Sequence, residues 1–416
     1  MIKHNILHNR TAKDIIWQVG GSIVNRASFF VTLVLLSGYL NPKIYGSLCL
    51  IYNMALSISS INSTGFGIVT RRELVKEDNK AIQKEILNSN LILITILAII
   101  LSIFVFIYQY SVHSIECSNV LFLSLLFLLS VNASFSYYLN YHYAGLGKFV
   151  EYNKILLPIN VLLPILCLLL EPSSIIVSGG IFMLVMMIGN IVQILYLTQL
   201  SAFSFDYSFQ KKHYKEYSPC FMQAIFGLPV FVILQSIIVY RWDNIAIIGL
   251  ITLMQQILNM SNIFASKTLT VFSPKITKYK LENKTVSPKE IMPMFIGYML
   301  IVFVVSGLIL ICLPIIVRFM NETYSDSIDD MRYFIIMNII TSISWFVIEY
   351  YHAIGKSWIS FSFNVSVSVL IFIVFYLIYY NNMSFSLRDY ANCLVLSRLI
   401  LLVPLLCKNL KFFFSR

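Results

Sequence analysis

Residues 86–110 read ILNSNLILITILAIILSIFVFIYQY, twenty-five positions without one charged side chain. A bilayer core is about 30 Å thick, and a helix rising about 1.5 Å per residue needs about 20 mostly apolar residues to cross it. The stretch is therefore predicted to span a membrane. Just before it, between Arg71 and Lys84, stand five Lys and Arg residues, the kind of flank that holds a helix end on the cytoplasmic side.

The pattern recurs along the whole chain. Of its 416 residues, 58% are hydrophobic and 12% charged, and its mean hydropathy is +0.80. Soluble domains carry about 25% charged residues. Apolar runs predict about twelve transmembrane helices. The first six cover Ile15 to Leu40, Ile44 to Thr70, Ile86 to Tyr110, Val120 to Tyr143, Val150 to Leu170 and Ser174 to Leu200. The second six cover Pro219 to Tyr240, Asn244 to Phe272, Ile291 to Phe319, Ile328 to Ala353, Trp358 to Tyr380 and Ser386 to Cys407. The expected class is thus an all-α integral membrane protein.

Charge orients these spans. With the N-terminus in the cytoplasm, 23 Lys and Arg residues fall on the cytoplasmic side and five (Lys43, Arg241, Arg318, Arg332 and Arg388) on the other. The positive-inside rule then places both termini in the cytoplasm. The net charge of +11 resides in short connectors rather than in one stripe, so no nucleic acid is expected as a partner. The apolar N-terminal stretch contains Arg26 and no A-x-A cleavage site follows it, so it is expected to remain as a first helix.

The polar connector 201–218 divides the chain into an N-terminal six-helix lobe, 1–200, and a C-terminal one, 219–416. The fourth span ends Tyr141-His142-Tyr143-Ala144-Gly145-Leu146-Gly147-Lys148 and the tenth Tyr350-Tyr351-His352-Ala353-Ile354-Gly355-Lys356, which align with one gap. Together with the long basic connectors after the second and eighth spans, this reads as a duplication. Two six-helix repeats around a central cavity are a transporter plan.

A charge deep in the bilayer costs about 2.5–3.5 kcal/mol on insertion scales, so those that persist are candidates for function. Arg26 lies in the middle of the first span and Arg398 in the middle of the last, neither with an acid within four positions. Guanidinium forks match phosphate oxygens, so both are read as walls of a cationic cavity; contacts to carbonyls or to an acid on another helix are the structural alternative. Lys267, near the end of the eighth span, is a third such candidate, although it and Arg241 have room to snorkel. Gln18, Asn25, Gln223, Gln235, Gln255 and Asn259 suggest a wet path, with helix–helix hydrogen bonding as the plainer reading. Gly20-Gly21, Pro158, Pro164, Pro229 and Pro404 are interior breakers that serve equally as hinges or static kinks.

No catalytic motif, metal-ligand spacing or phosphate-binding glycine loop is present, and the seven cysteines are scattered singly. Neither catalysis, a cofactor nor a metal is therefore expected. Carboxylates are nearly missing from the deep membrane: Glu151, Asp329, Asp330 and Asp389 stand in the first turn of their predicted spans, and Glu349 lies about a turn from the end of its own.

Four segments at successive helix ends carry a family likeness: Asn41-Pro42-Lys43-Ile44-Tyr45-Gly46, then Gly65-Phe66-Gly67-Ile68-Val69-Thr70-Arg71-Arg72-Glu73-Leu74, then Ala144-Gly145-Leu146-Gly147-Lys148, then Ser273-Pro274-Lys275-Ile276. In them and in its twelve-helix plan the chain resembles the polysaccharide exporters of the MOP superfamily, the O-antigen flippases of the Wzx type. The resemblance implies a multi-pass protein of the bacterial inner membrane. Its substrate would be an undecaprenyl-pyrophosphate-linked glycan carried from the cytoplasmic to the periplasmic leaflet by alternating access. A polysaccharide polymerase and a chain-length regulator would be its partners beside membrane lipid. Arg26 stands where related flippases carry a first-helix arginine, and Lys267 matches a basic eighth-helix position more loosely. A cation-coupled multidrug exporter of the MATE type shares the plan but usually places acids in the membrane. A membrane polymerase or ligase would need a larger outside loop than the roughly ten residues available here.

Overall fold

A computed structural model describes residues 2–75, 77–112, 117–198, 207–257, 259, 288–353 and 357–414. The described residues form helices joined by short turns. The first six are α1 (Ile2–Tyr39), α2 (Pro42–Leu74), α3 (Lys80–Val112), α4 (Asn119–Gly145), α5 (Phe149–Leu170) and α6 (Ile175–Thr198). Next come α7 (Ser208–Ile225), α8 (Leu228–Trp242) and the described part of α9 (Ala246–Ile257). The remainder are α10 (Pro288–Val317), α11 (Ile328–Ala353), α12 (Ser357–Val374) and α13 (Leu387–Phe414). Eight helices are long and apolar enough to cross a membrane, and α8 and α9 are shorter apolar helices.

The chain divides into two compact units, Met1–Gly249 and Leu250–Arg416, the division falling inside α9. In the first unit α2 is the central element, packed against α4, α7, α3 and α8. Its start is set locally: Pro42 occupies the first turn, where a missing N–H does no harm, and the Asn41 side chain accepts a hydrogen bond from Lys43 N at 3.0 Å. Its Gly46 lies against the Ile245 backbone so closely that a Cβ there would overlap the Ile245 carbonyl oxygen. Small residues permit such approaches between membrane helices, where dispersion replaces the hydrophobic effect as the packing force.

α3 shows how the bilayer is faced. Leu87, Leu91, Ile94 and Ala98 are buried, at helical spacing, while Ile96, Ile99, Ile103 and Ile107 on another side are exposed. An apolar face left open in this way belongs against lipid. The buried side joins a cluster containing Phe66, Tyr138, Leu139, Tyr143 and Tyr217.

Hydrogen bonds stitch this interior across helices. Asn90 of α3 donates to Thr70 Oγ1 at 2.9 Å and to the Tyr138 hydroxyl at 2.8 Å, and accepts from Gln210 Nε2 of α7 at 2.9 Å. Asn190 of α6 donates to the Asn132 carbonyl of α4 at 2.8 Å and accepts from the Ser136 hydroxyl at 2.9 Å. Buried amides in hydrocarbon need such partners, so these bonds fix the helix register as well as the spacing.

The seventh predicted span is corrected. Its expected start, Pro219, lies within α7, which begins at Ser208 and takes in the latter part of the 201–218 connector; the helix breaks at Phe226-Gly227 before α8. The run is polar, yet Tyr217 and Phe221 set one face of α7 edge-on against Phe66 at 5.3 and 5.2 Å, leaving Lys211, Lys212 and Lys215 exposed. In the second unit α11 matches the tenth predicted span at both ends, and α12 runs into a π-turn over Phe375–Tyr379.

Candidate functional site

Each unit carries one arginine in the middle of a long helix, Arg26 in α1 and Arg398 in α13. In the first unit, α1 carries Asn25, Arg26 and Phe29. Arg26 is half-buried and forms no ion pair among the described residues. Its charge reaches the buried Tyr52 of α2, which also feels Tyr137 of α4. Tyr52 is held by rings: Phe29 stacks on it at 4.9 Å, and Phe182 of α6 lies 5.6 Å from it and 5.5 Å from Phe29. One residue on, Asn53 Nδ2 donates to Gln235 Oε1 of α8 at 3.1 Å, so that predicted path residue is engaged between helices. Asn25 Oδ1 is buried with no partner among the described residues.

In the second unit, Arg398 of α13 donates from Nη1 to the Leu394 carbonyl one turn back, at 2.9 Å, and lies within electrostatic reach of Tyr390. The Tyr390 hydroxyl accepts from Gln255 Nε2 of α9 at 2.9 Å, and Phe334 of α11 stacks parallel to the Tyr390 ring at 6.3 Å. Two predicted residues, Arg398 and Gln255, thus meet on one tyrosine. Part of Arg398 serves its own helix, the structural role that the sequence reading held open.

Asn259 is half-buried, with no partner recorded among the described residues. The side chains of Gln18 and Gln223 and the whole of Lys267 lie outside the described residues, as does the Ile354–Lys356 half of the internal repeat. Arg241 is exposed and its guanidinium lies over its neighbour Trp242 at 5.7 Å, the snorkelling alternative. Tyr52 and Tyr390 are the residues sequence reasoning missed. Each pairs a buried hydroxyl with a nearby guanidinium, and the available signal was their place one residue before Asn53 and eight before Arg398.

Glu73, His213 and Glu216 bring three potential metal-ligating atoms within 4.8 Å of one another. The guanidinium of Arg72 already rests on both carboxylates, at 2.9 Å from Glu73 and in contact with Glu216, and His213 Nδ1 is 3.4 Å from Glu216. That hydrogen bond from Arg72 holds the Glu216 carboxyl below the usual carboxylate range. The arrangement satisfies its own charge and ties α7 to the end of α2, so it is an ion-pair cluster.

No protein-family model matches the chain, and no characterised protein matches it by sequence. Solved structures do match it along nearly its full length. One is an inward-facing multidrug resistance MATE family transporter of the MOP superfamily, with TM-score 0.70 and 15% identity over 96% of this chain and 98% of that one. The MATE multidrug transporter DinF-BH gives TM-score 0.58 and 16% identity over 98% and 97% of the two chains. A MOP superfamily transporter from Pyrococcus furiosus, reported with reverse polarity of its binding pocket and a suggested different function, gives 0.58 and 13% over 96% and 95%. At these identities the likeness speaks for the fold: the chain is a multi-pass membrane protein with the helical architecture of the MATE transporters of the MOP superfamily.

Proposed function

We propose that this protein flips an undecaprenyl-pyrophosphate-linked oligosaccharide repeat unit from the cytoplasmic to the periplasmic leaflet of the bacterial inner membrane. About twelve membrane spans would act as two six-helix halves, 1–200 and 219–416, with both termini in the cytoplasm. The observation that carries the reading is Arg26: a half-buried guanidinium in mid-helix, with no ion pair among the described residues and five N–H donors to offer. Pyrophosphate fits such a fork, because parallel N–H···O bonds to phosphate oxygens are both charge-assisted and directional. Arg398, which gives one donor to the Leu394 carbonyl, keeps others with the same chemistry. The amides and tyrosine hydroxyls beside each arginine have the chemistry to exchange hydrogen bonds with sugar hydroxyls.

A second reading, a cation-coupled multidrug exporter, is favoured by a different observation, namely that the fold neighbours include multidrug MATE transporters. One experiment separates the two. Deletion of the gene in its native strain, followed by mass spectrometry of extracted undecaprenyl-linked sugars, is expected to show build-up of complete repeat units and loss of surface polysaccharide. Complementation with the wild-type gene reverses both. Normal surface polymer together with heightened dye sensitivity would instead establish the exporter.

A further inference from the structure

A pocket of about 500 Å³ opens at one end of the first unit, between the start of α3, the end of α4 and the end of α6. Lys80, Gln83 and Lys84 come from α3, His142 from α4, Lys148 from the α4–α5 turn and Tyr196 from α6. Helix alternation puts it at the same end as Arg71 and Arg72, the basic side of the sequence. Three ammonium groups line it, and no carboxylate does.

The placement of Lys148 is built into the chain. Gly147 adopts φ +66°, a conformation that favours glycine, and ends α4 with a six-to-one hydrogen bond from Lys148 N to the Tyr143 carbonyl at 2.9 Å. The turn brings the Lys148 ammonium to 5.6 Å from the Tyr196 ring centre. Behind it lies His142, 1% exposed, whose Nδ1 is buried without a hydrogen-bond partner among the described residues. A buried imidazole nitrogen left unsatisfied is costly. It is explained if a ligand or its bound water completes the site. The leucines of the wall continue to Leu195 and Tyr196, which are exposed on the outer surface of α6 where acyl chains would run.

We propose that this pocket binds the phosphate headgroup of an anionic membrane phospholipid, at a place separate from Arg26. The chemistry is a phosphate oxygen shared among Lys80, Lys84 and Lys148, with the rest of the headgroup over Tyr196. A volume of this size, within the range of ordinary ligand pockets, holds a phosphate and a glycerol-sized substituent. Basic pockets between membrane helices on the cytoplasmic side are suited to such headgroups. The inference does not depend on the cargo proposed above.

The test is native mass spectrometry of the full chain in detergent, titrated with phosphatidylglycerol, with phosphatidylcholine and with inorganic phosphate. Wild-type protein is expected to retain one phosphatidylglycerol in preference to phosphatidylcholine. Lys84→Gln and Lys148→Gln should each weaken retention about fivefold, as expected for one lysine acting on an anionic headgroup. The control Lys211→Gln/Lys212→Gln, which removes two exposed charges elsewhere, should leave it unchanged. Thermal unfolding of the lipid-free variants verifies that each is folded, and Lys80→Gln, on the exposed first turn of α3, serves if Lys148→Gln is not. Equal loss in the control would reduce the effect to net charge and overturn the proposal. Displacement of the lipid by millimolar inorganic phosphate would overturn the lipid as the source and assign the site to free phosphate.

Discussion

Arg26→Ala is expected to leave the protein folded and present in the membrane while lowering export of lipid-linked repeat units by about 10- to 100-fold, the loss expected for one or two charge-assisted hydrogen bonds. The separation of effects follows from the surroundings. Removing one member of a buried ion pair destabilises a protein because the other member is left uncompensated. Arg26 has no such partner among the described residues, and the Phe29, Tyr52 and Phe182 rings beside it pack on one another without it. Arg26→Lys retains a point charge but not the fork, and should fall between the wild type and alanine. The measurement is complementation of the deletion strain, with accumulated undecaprenyl-linked sugar quantified at matched membrane abundance. An alanine variant that exports like the wild type would remove the arginine from the mechanism.

Gly46→Val should do the opposite, abolishing the folded protein before transport is in question. The ideal Cβ at this position collides with the Ile245 carbonyl oxygen and stands 3.2 Å from the Ala246 Cα. These are backbone atoms that cannot turn aside, so α2 must move off the start of α9. Overpacking a tight interior costs about 1–3 kcal/mol, and more where backbone rather than a flexible side chain is struck. Gly20 supplies the internal comparison, since a Cβ there meets nothing within 4 Å. Gly20→Ala is expected to be neutral or slightly stabilising through helix propensity. Size-exclusion profiles and thermal unfolding in detergent distinguish the two. A Gly46→Val protein as monodisperse and as heat-resistant as Gly20→Ala would show that the close approach carries no weight.

Three of the four quoted helix-end segments can now be read physically, the fourth, Ser273-Pro274-Lys275-Ile276, lying outside the described residues. Gly46 admits Ile245, Gly67 lies against Tyr141, Gly145 lies against Leu74 and the Arg71 backbone, and Gly147 supplies a positive φ. What looks in sequence like a string of short family signatures is largely a set of places where backbone must approach backbone or ring. Eight of the predicted spans were legible because a bilayer demands long apolar runs, and α11, less apolar, still matches its predicted helix at both ends. α7 was not legible, because its apolar contacts are few and its charges many; the Phe66 ring and the Asn90 amide, brought near by the fold, declare which face is inside. The candidate site was legible in part. The arginines stand out as charges in apolar helices, whereas their tyrosine partners do not, because tyrosine is ordinary in membrane proteins. The bond between Asn53 and Gln235 spans 182 positions, a distance at which no local pattern operates.

The scattered thiols have a practical consequence. Cys117 lies at the α3–α4 junction and Cys220 in α7 beside the end of α2, both half-buried and free, so the natural chain carries a chemical reporter at each end of its first unit. Burial raises the Cys117 thiol above its ordinary pKa, and because the thiolate is the species that reacts, labelling there should quicken as the medium is made more alkaline. A membrane-impermeant maleimide given to intact spheroplasts would then mark Cys117 and spare Cys220 if the basic end faces the cytoplasm, reading the orientation of the protein without a single engineered residue.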